Sequence, residues 1–229
     1  MIRFAFLLIS LVCSCSFAES NYRKDLENFA QTLVFDKYHS QFIVSENEKL
    51  SLKVAPLDQR VNYSECQTGL VGEIVNDKIK STTSVKISCF DEVQWTTYLR
   101  VRVSLLKKTI VATTSLSKGQ ILNQSNIASV YMDKSRIRNG GFTSPESLYG
   151  TRLKRNLNAD KVIKSRDICF VCKDDKVSIL ATKTGLSIKA YGIALSDANI
   201  GGTVKVKNIR TQRIVIGTVS NLKEVEVSF

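Results

Sequence analysis

Cysteine is the residue type in this sequence with the clearest chemical potential. Beyond the apolar N-terminal stretch lie four of them: Cys66, Cys89, Cys169 and Cys172. In an oxidising compartment this even number predicts two disulfides, for which three connectivities are possible. We favour Cys66–Cys89 and Cys169–Cys172, because each bond then stays within one predicted structural unit. The second bond needs a tight turn at Phe170-Val171, since residues three apart in a strand are roughly 10 Å apart.

The remaining reactive side chains do not form a catalytic or metal-binding arrangement. Thioredoxin-like chemistry needs a cysteine at a helix N-terminus, but β-like residues surround Cys169. A four-cysteine zinc site is disfavoured because Cys66 and Cys89 are not at knuckle spacing. His39 is the only histidine, so no triad or histidine metal cluster is available. We predict no enzymatic activity and no cofactor, with two facing carboxylates in a glycan-cleaving cleft as the alternative left open.

Residues 1–18 have the pattern of a secretory signal peptide. One basic residue, Arg3, precedes an apolar stretch at Phe4–Val12, and small residues follow at Ser16-Phe17-Ala18. We predict cleavage after Ala18, and the apolar stretch is too short to span a bilayer as a stable helix. Lipidation of Cys15 is the alternative. We expect the exported protein to have no membrane-inserted segment.

The sequence is strongly basic. It has 33 basic and 21 acidic residues, for a net charge of +12. Removal of residues 1–18 takes away only Arg3, so the net charge becomes +11. Such a charge suits nucleic acid, an anionic envelope surface or an acidic protein partner. Export argues against nucleic acid, and a surface that is basic only for solubility is the simplest alternative.

The N-terminal half predicts an α+β arrangement. Asn21 is predicted to cap a helix over Tyr22–Tyr38, whose apolar residues share one face. Strands are predicted at Phe42–Val44, Lys49–Val54, Ser84–Cys89 and Trp95–Leu105. The last has the longest alternation of apolar and polar residues, which is typical of a half-buried antiparallel strand. Lys107-Lys108 breaks this pattern, so we predict a domain boundary near Leu106–Thr109.

The second half contains two similar segments, Leu116–Ile127 and Leu157–Ile168. Their residue classes match in order, which predicts two β-turn-β corners folded on each other, with chance repetition as the alternative. Between them Ser144–Gly150 predicts a short helix, with Ser144 as N-cap and Gly150 as the stop. Five strands follow, at Val177–Ala181, Leu186–Ala190, Val204–Lys207, Ile214–Val219 and Val225–Phe229. Gly185, Gly192 and Gly201-Gly202 are among the predicted turns, and the whole chain is predicted to be mainly β with a few short helices.

The two segments and the helix between them resemble the SAF domain, a β-clip module. Gly192–Asn208 and Arg213–Val219 resemble more specifically the flagellar P-ring assembly chaperone family (FlgA), to which the arrangement of Cys66, Cys89 and Trp95 is also similar. The chain departs from the commonest family form at Gly201-Gly202-Thr203, where an acidic residue often follows the first glycine. Together with the predicted signal peptide at 1–18 and the predicted boundary near Leu106–Thr109, the resemblance implies an α+β domain at 19–108, a SAF-like β-clip at 109–170 and a β domain at 171–229 that completes the β-clip.

The resemblance also implies a function. By this resemblance, the chain is expected to be a non-enzymatic periplasmic chaperone that binds flagellar P-ring subunits and promotes P-ring assembly around the rod of the basal body. A partner strand would bind by edge addition or in a groove, with basic residues steering an acidic partner. The predicted partner-binding residues are Lys107, Lys108, Lys134, Arg136 and Arg138. The alternative is an envelope module that binds anionic glycan or lipid, within pilus biogenesis.

Overall fold

The computed structural model of this protein describes residues 16–137, 140–183 and 186–228. Within these ranges the chain is mainly β, as predicted, with one α-helix, α1 (Ser16–Gln41), and twelve strands. The strands are β1 (Glu48–Val54), β2 (Val71–Ile74), β3 (Thr82–Cys89), β4 (Trp95–Ala112), β5 (Ile127–Asp133), β6 (Arg152–Leu153), β7 (Ile168–Cys169), β8 (Lys176–Lys183), β9 (Leu186–Ala194), β10 (Thr203–Asn208), β11 (Ile214–Asn221) and β12 (Glu224–Ser228). Single 3₁₀ turns lie at Val75–Asp77, Lys134–Arg136, Glu146–Leu148 and Ser165–Asp167.

The described chain forms two compact units. The first runs up to Ser45 and resumes at Leu50–Leu105, and the second comprises Glu46–Lys49 and the described residues from Leu106 onward. The domain limits inferred from the sequence stay predictions. The predicted apolar stretch of the signal peptide and Cys15 lie outside the described residues.

In the first unit, α1 packs against a sheet with the strand order β1-β4-β3-β2. Leu26, Ala30 and Val34 recur every four residues, so they form one stripe along the helix, and all three are fully buried. They share a core with inward-facing residues of β3 and β4: Val85, Ile87, Leu99 and Val101. The predicted alternation of the first part of β4 is confirmed by its burial pattern.

Two predictions around α1 are wrong. Asn21 and His39 both lie inside the helix, because no helix-breaking residue interrupts the described sequence before or between them. The predicted strand at Phe42–Val44 is absent from the described elements. Its first amide continues the helical hydrogen bonding and donates to the carbonyl of Tyr38 at 2.9 Å. Ile43 is 98% exposed, so this apolar run has no neighbouring strand to bury it.

β4 continues well beyond its predicted end at Leu105. β3 pairs with its first part as far as Arg102, and β5 pairs with its second part from Leu106 to Ala112. The backbone of β4 therefore has hydrogen-bonding partners both before and at the point where its apolar pattern breaks. The lysine pair at 107–108 therefore does not end the strand.

The two similar segments fold against each other, as predicted. The amide of Leu116 donates to the carbonyl of Leu157 at 2.7 Å, and the reverse hydrogen bond is 2.9 Å long. Each copy turns at a residue with positive φ, 85° at Gly119 and 60° at Asp160, as the third residue of a type II turn requires. The first, seventh and twelfth residues of both copies are buried in one core: Leu116, Leu122, Ile127, Leu157, Ile163 and Ile168.

The same turn occurs twice more, at 171–175 and 198–202, and these copies also pair. Val171 and Ala198 exchange backbone hydrogen bonds of 3.1 and 2.7 Å. Positive φ again stands at the fourth place, 69° at Asp174 and 74° at Gly201. The sequence analysis missed these two copies because their residue classes differ, although the turn at 198 follows that at 157 at the same interval as 157 follows 116.

β8 to β12 form a closed barrel in the order β10-β11-β12-β8-β9. Neighbouring strands are antiparallel, except that β12 and β8 close the barrel as a parallel pair from Glu224↔Ser178 to Ser228↔Thr182. The interior is filled by small and medium apolar side chains: Val177, Ile179, Val204, Val206, Val219 and Val225. The five strands predicted for this region are confirmed, and Phe229 lies outside the described residues.

Gly192, predicted to lie in a turn, lies within β9. A Cβ atom there would stand 2.3 Å from Cγ1 of Val206 and 2.9 Å from the carbonyl oxygen of Lys207. β10 therefore approaches the backbone of β9 more closely than any side chain allows, which explains the glycine. The predicted turn at Gly201-Gly202 is confirmed, and Gly185 lies outside the described residues.

The predicted helix at Ser144–Gly150 is shorter than expected. It is a single 3₁₀ turn at Glu146–Leu148, entered through Pro145 in a helical conformation. The Ser147 hydroxyl donates to the carbonyl of Ser144 at 2.7 Å. Gly150 ends the segment with a φ of 83°.

Candidate partner-binding surfaces

The predicted partner-binding lysines of β4 lie on opposite faces of the strand. Lys107 stands opposite Met132 of β5, and Lys108 stands opposite Tyr131. Successive residues of a strand point to opposite faces, so these two lysines cannot contact the same small ligand. Both are half-buried.

The basic residues after β5 have different surroundings. Lys134 forms an ion pair of 2.8 Å with Glu48, and both residues belong to the second unit. Arg136 is exposed and lines a groove described below. Arg138 lies outside the described residues. Among the predicted set, Arg136 is thus the residue that the structure places in a concave site.

The groove lies in the second unit and has a volume of about 490 Å³. Met132 of β5 and Arg136 of the 3₁₀ turn that follows it line one side, and residues from 155 to 167 line the rest. Five basic residues line it: Arg136, Arg155, Lys161, Lys164 and Arg166. Two acidic residues, Asp160 and Asp167, also line it, so its charged lining is net positive. We call this site the basic groove.

Asp167 organises the wall of the basic groove. Its side chain is buried, pairs with Arg155, and has Arg166 at 3.9 Å. It also accepts a hydrogen bond of 3.0 Å from the amide of Lys164. This carboxylate therefore fixes the conformation of the loop and partly neutralises the charge of Arg155. Lys161 and Arg166 are both exposed at the groove, although Arg166 has the Asp167 carboxylate nearby, and these cations suit contact with an anionic group.

The sequence analysis missed four of the five basic residues of the groove: Arg155, Lys161, Lys164 and Arg166. A signal for them existed in the repeat. The corresponding positions of the first copy hold uncharged polar residues, at Thr114, Gln120, Asn123 and Ser125. The two copies of the repeat therefore differ in charge at these four positions.

Both cysteine pairs are disulfides in this structure. Cys66–Cys89 has a Cα–Cα distance of 5.8 Å, and Cys169–Cys172 has one of 5.3 Å. The chain bends at Phe170 between the second pair, as such a short loop demands. Asp91 lies close to the first pair, but cysteines bonded to each other offer no thiolate for a metal ion.

Asp91 fixes the loop that contains Cys66. Its carboxylate accepts hydrogen bonds from the amides of Gln67, at 2.6 Å, and Thr68, at 3.1 Å, and from the Thr68 hydroxyl. The hydrogen bond from the Thr68 hydroxyl, followed by that from the Gln67 amide, lowers the pKa of Asp91 from its ordinary value of 3.8. The role of this side chain is structural.

Residues 107–227, which include the basic groove and the barrel, match the model of the family described as "Chaperone for flagella basal body P-ring formation". This match covers more than half of the chain. The chain belongs to this family. The P-ring chaperone family is thus confirmed as predicted from the sequence, and its description names a chaperone role.

The chain is also similar to several known proteins. "Flagellar protein FlgA" of Rhizobium meliloti (strain 1021) is 29% identical over 113 residues, which cover 48% of this chain and 67% of that protein. The structure of Salmonella FlgA in an open form is 17% identical, with a TM-score of 0.43 and coverage of 90% and 94% of the two chains. For FlgA of Thermotoga maritima MSB8 the identity is 16%, the TM-score is 0.41 and the coverage is 86% and 70%.

None of the helices in the described part of the chain combines the length and the apolar character that crossing a membrane requires.

Proposed function

We propose that this protein is an exported, periplasmic and non-enzymatic chaperone that binds flagellar P-ring subunits and promotes their assembly around the rod of the basal body. The observation that carries the proposal is the basic groove, which lies inside the region that matches the P-ring chaperone family. A cluster of exposed cations in a concave site attracts acidic groups and raises the rate of encounter with an acidic partner.

The structure also narrows how a subunit could bind. The closed barrel has no free strand edge, so edge addition is unavailable there. A P-ring subunit would then contact side chains of the barrel rather than its backbone. In the basic groove, Lys161 and Arg166 would contact carboxylates of the subunit, while Asp167 keeps the loop in place.

Deletion of the gene and complementation with variants tests this function. We expect the deletion strain to lose swarming motility and P-rings, and the unaltered gene to restore both. Replacement of Lys161 and Arg166 by glutamate should restore them poorly, because two attractive charges become repulsive. The matched control is the double change of Lys118 and Lys173 to glutamate, which alters the net charge equally at exposed sites outside the groove.

Two results would contradict the proposal. Normal motility with intact P-rings in the deletion strain would remove the chaperone role. The envelope-binding alternative would be supported if the deletion strain were motile and the purified protein bound anionic glycan or phosphatidylglycerol vesicles. In that case the groove variant should lose this binding.

A further inference from the structure

The outer surface of the barrel carries large apolar side chains where strands facing water usually carry polar ones. Ile214 and Ile216 of β11 are each 58% exposed, and Tyr191 of β9 is 53% exposed. Leu195 and Ile209, just beyond β9 and β10, are exposed as well. The interior of the barrel is already filled by valines and Ile179, so these outer residues are not needed for its core.

Strand register places lysines among these apolar residues. Residues opposite each other on neighbouring strands point to the same face. Lys207 of β10 stands between Ile193 of β9 and Ile214 of β11. Lys205 stands opposite Ile216, and its carbonyl accepts a hydrogen bond of 2.8 Å from the amide of Leu195.

The same register extends the pattern to β8. Lys176 stands opposite Ile193 and holds its ammonium 5.4 Å from the centre of the Tyr191 ring. The resulting surface, which we call the barrel face, consists of Lys176, Tyr191, Leu195, Lys205, Lys207, Ile209, Ile214 and Ile216. Its apolar and basic side chains alternate from strand to strand.

The charge of the barrel face has one sign. β9 and β10 contain lysines, β11 contains no charged residue, and none of the three strands contains aspartate or glutamate. The side chains of Lys205 and Lys207, both exposed, form no ion pair with any residue that the structure describes. The isoleucines beside them are therefore exposed in a positive field, so an apolar partner with acidic residues complements both properties of the face.

We propose that the barrel face binds an amphipathic segment of the P-ring subunit in which aspartates or glutamates alternate with apolar residues; this rests on the proposed function. The partner's apolar side chains cover Tyr191, Ile214 and Ile216, and its carboxylates meet Lys205 and Lys207. Burial of exposed apolar side chains supplies affinity, while the charges select the partner.

Other occupants fit the face less well. A second copy of this chain would bring the same lysines towards each other, which costs free energy at any symmetric contact. A strand added through backbone hydrogen bonds has no edge to pair with in a closed barrel. An anionic membrane would attract the lysines, but it would attract any other basic surface equally. A membrane therefore does not account for the alternation of lysines with apolar side chains.

The experiment measures binding of the purified full-length exported protein to immobilised P-ring subunits. Two double variants are used, one changing Ile214 and Ile216 to serine, and the other changing Lys205 and Lys207 to glutamate. We expect each to weaken binding by about tenfold or more, because exposed anchor residues of this size contribute at least that much at an interface. The lysine variant should also lose most of the salt dependence of binding.

The matched control changes Ile43 and Val93 to serine, two apolar residues of the first unit that are also exposed. It should bind as the unaltered protein does. Thermal unfolding of all variants checks that the barrel is intact, and a photoreactive residue at Thr218, which is exposed on β11, should cross-link to the subunit.

The outcomes separate this inference from the proposed function. If the unaltered protein does not bind P-ring subunits, the proposed function fails. If it binds them and both double variants bind equally well, the barrel face is not the site. The inference would also be overturned if the variants kept subunit binding but lost another interaction. Loss of dimerisation in sedimentation would assign the face to a second copy, and loss of binding to phosphatidylglycerol vesicles would assign it to a membrane.

Discussion

At the scale of single residues, Asp91 shows how one half-buried carboxylate can hold a disulfide loop. Three donors from Gln67 and Thr68 converge on it, immediately after Cys66. These hydrogen bonds favour the charged carboxylate, which is why the pKa of Asp91 is lowered. The loop that carries the disulfide is therefore organised by an interaction that acid removes.

Replacement of Asp91 by asparagine should expose the Cys66–Cys89 bond to reductant. An asparagine accepts fewer and weaker hydrogen bonds, so we expect reduction by a phosphine at neutral pH to be about two- to fivefold faster. The control is Asp58→Asn, because the Asp58 carboxylate holds the amide of Arg60 in a similar turn without a nearby cysteine.

The same interaction predicts a pH dependence. Because the pKa of Asp91 is lower in the folded protein, its stabilisation is fully present above the ordinary pKa of 3.8 and is lost as the pH falls through the lowered folded-state pKa. The unaltered protein should thus approach the reduction rate of the variant only at a pH below 3.8, where the folded carboxylate becomes protonated. Equal rates for both proteins at neutral pH would contradict this role.

At the scale of elements, the close contact of β9 and β10 depends on Gly192. A methyl group at this position would overlap Cγ1 of Val206 and the backbone of β10. Overpacking of this kind costs about 1–3 kcal/mol. We expect Gly192→Ala to lower the free energy of unfolding in urea by about that amount.

Val206→Ala supplies the control for this prediction. Removal of the Cγ1 atom relieves one of the contacts, so the two changes together should cost less than the sum of their separate effects. A strictly additive double-mutant cycle would show that the strands do not approach as closely as described.

The sequence predicts a helix or strand well when residues nearby in the sequence determine its structure. The alternation in the first part of β4, the repeat and the strands of the barrel are visible in the sequence because each buries one face. The continuation of β4 beyond Leu105 depends on its pairing with β5, which is distant in sequence. The turns at 171–175 and 198–202 share backbone geometry with the repeat but not residue classes, so only coordinates reveal them.

The candidate sites could be predicted only in part for a similar reason. The basic composition is compatible with an acidic partner, an anionic envelope surface or a surface that is basic only for solubility, and it does not say which basic residues line one site. Arg136 and Arg166 come together because β5 and the second copy of the repeat share a groove. The barrel face likewise depends on the register of β9, β10 and β11, which aligns lysines with isoleucines only after the strands pair.

At the scale of the whole molecule, the two disulfides should contribute unequally to stability. Cys66–Cys89 joins residues 23 positions apart and ties a loop to the buried face of β3. Closing a loop of this size is worth about 3 kcal/mol in the chain-entropy model. We expect the double change Cys66→Ser/Cys89→Ser to lower the free energy of unfolding by about that amount.

The second bond provides the comparison. Cys169 and Cys172 are only 3 positions apart, so their replacement by serine should cost less, about 2 kcal/mol in the same chain-entropy model. Titration of the native exported protein with a thiol reagent should find neither pair reactive. Four reactive thiols would contradict both assignments.

The parallel pairing of β12 with β8 sets the order in which the second unit can be completed. β8 is synthesised before β9, β10 and β11, but its parallel partner β12 follows those three strands, so one edge of β8 has no partner until β12 is made. An open sheet at that stage exposes the backbone that promotes aggregation. The barrel therefore keeps one unpaired edge until Glu224–Ser228 pairs with β8 and closes it.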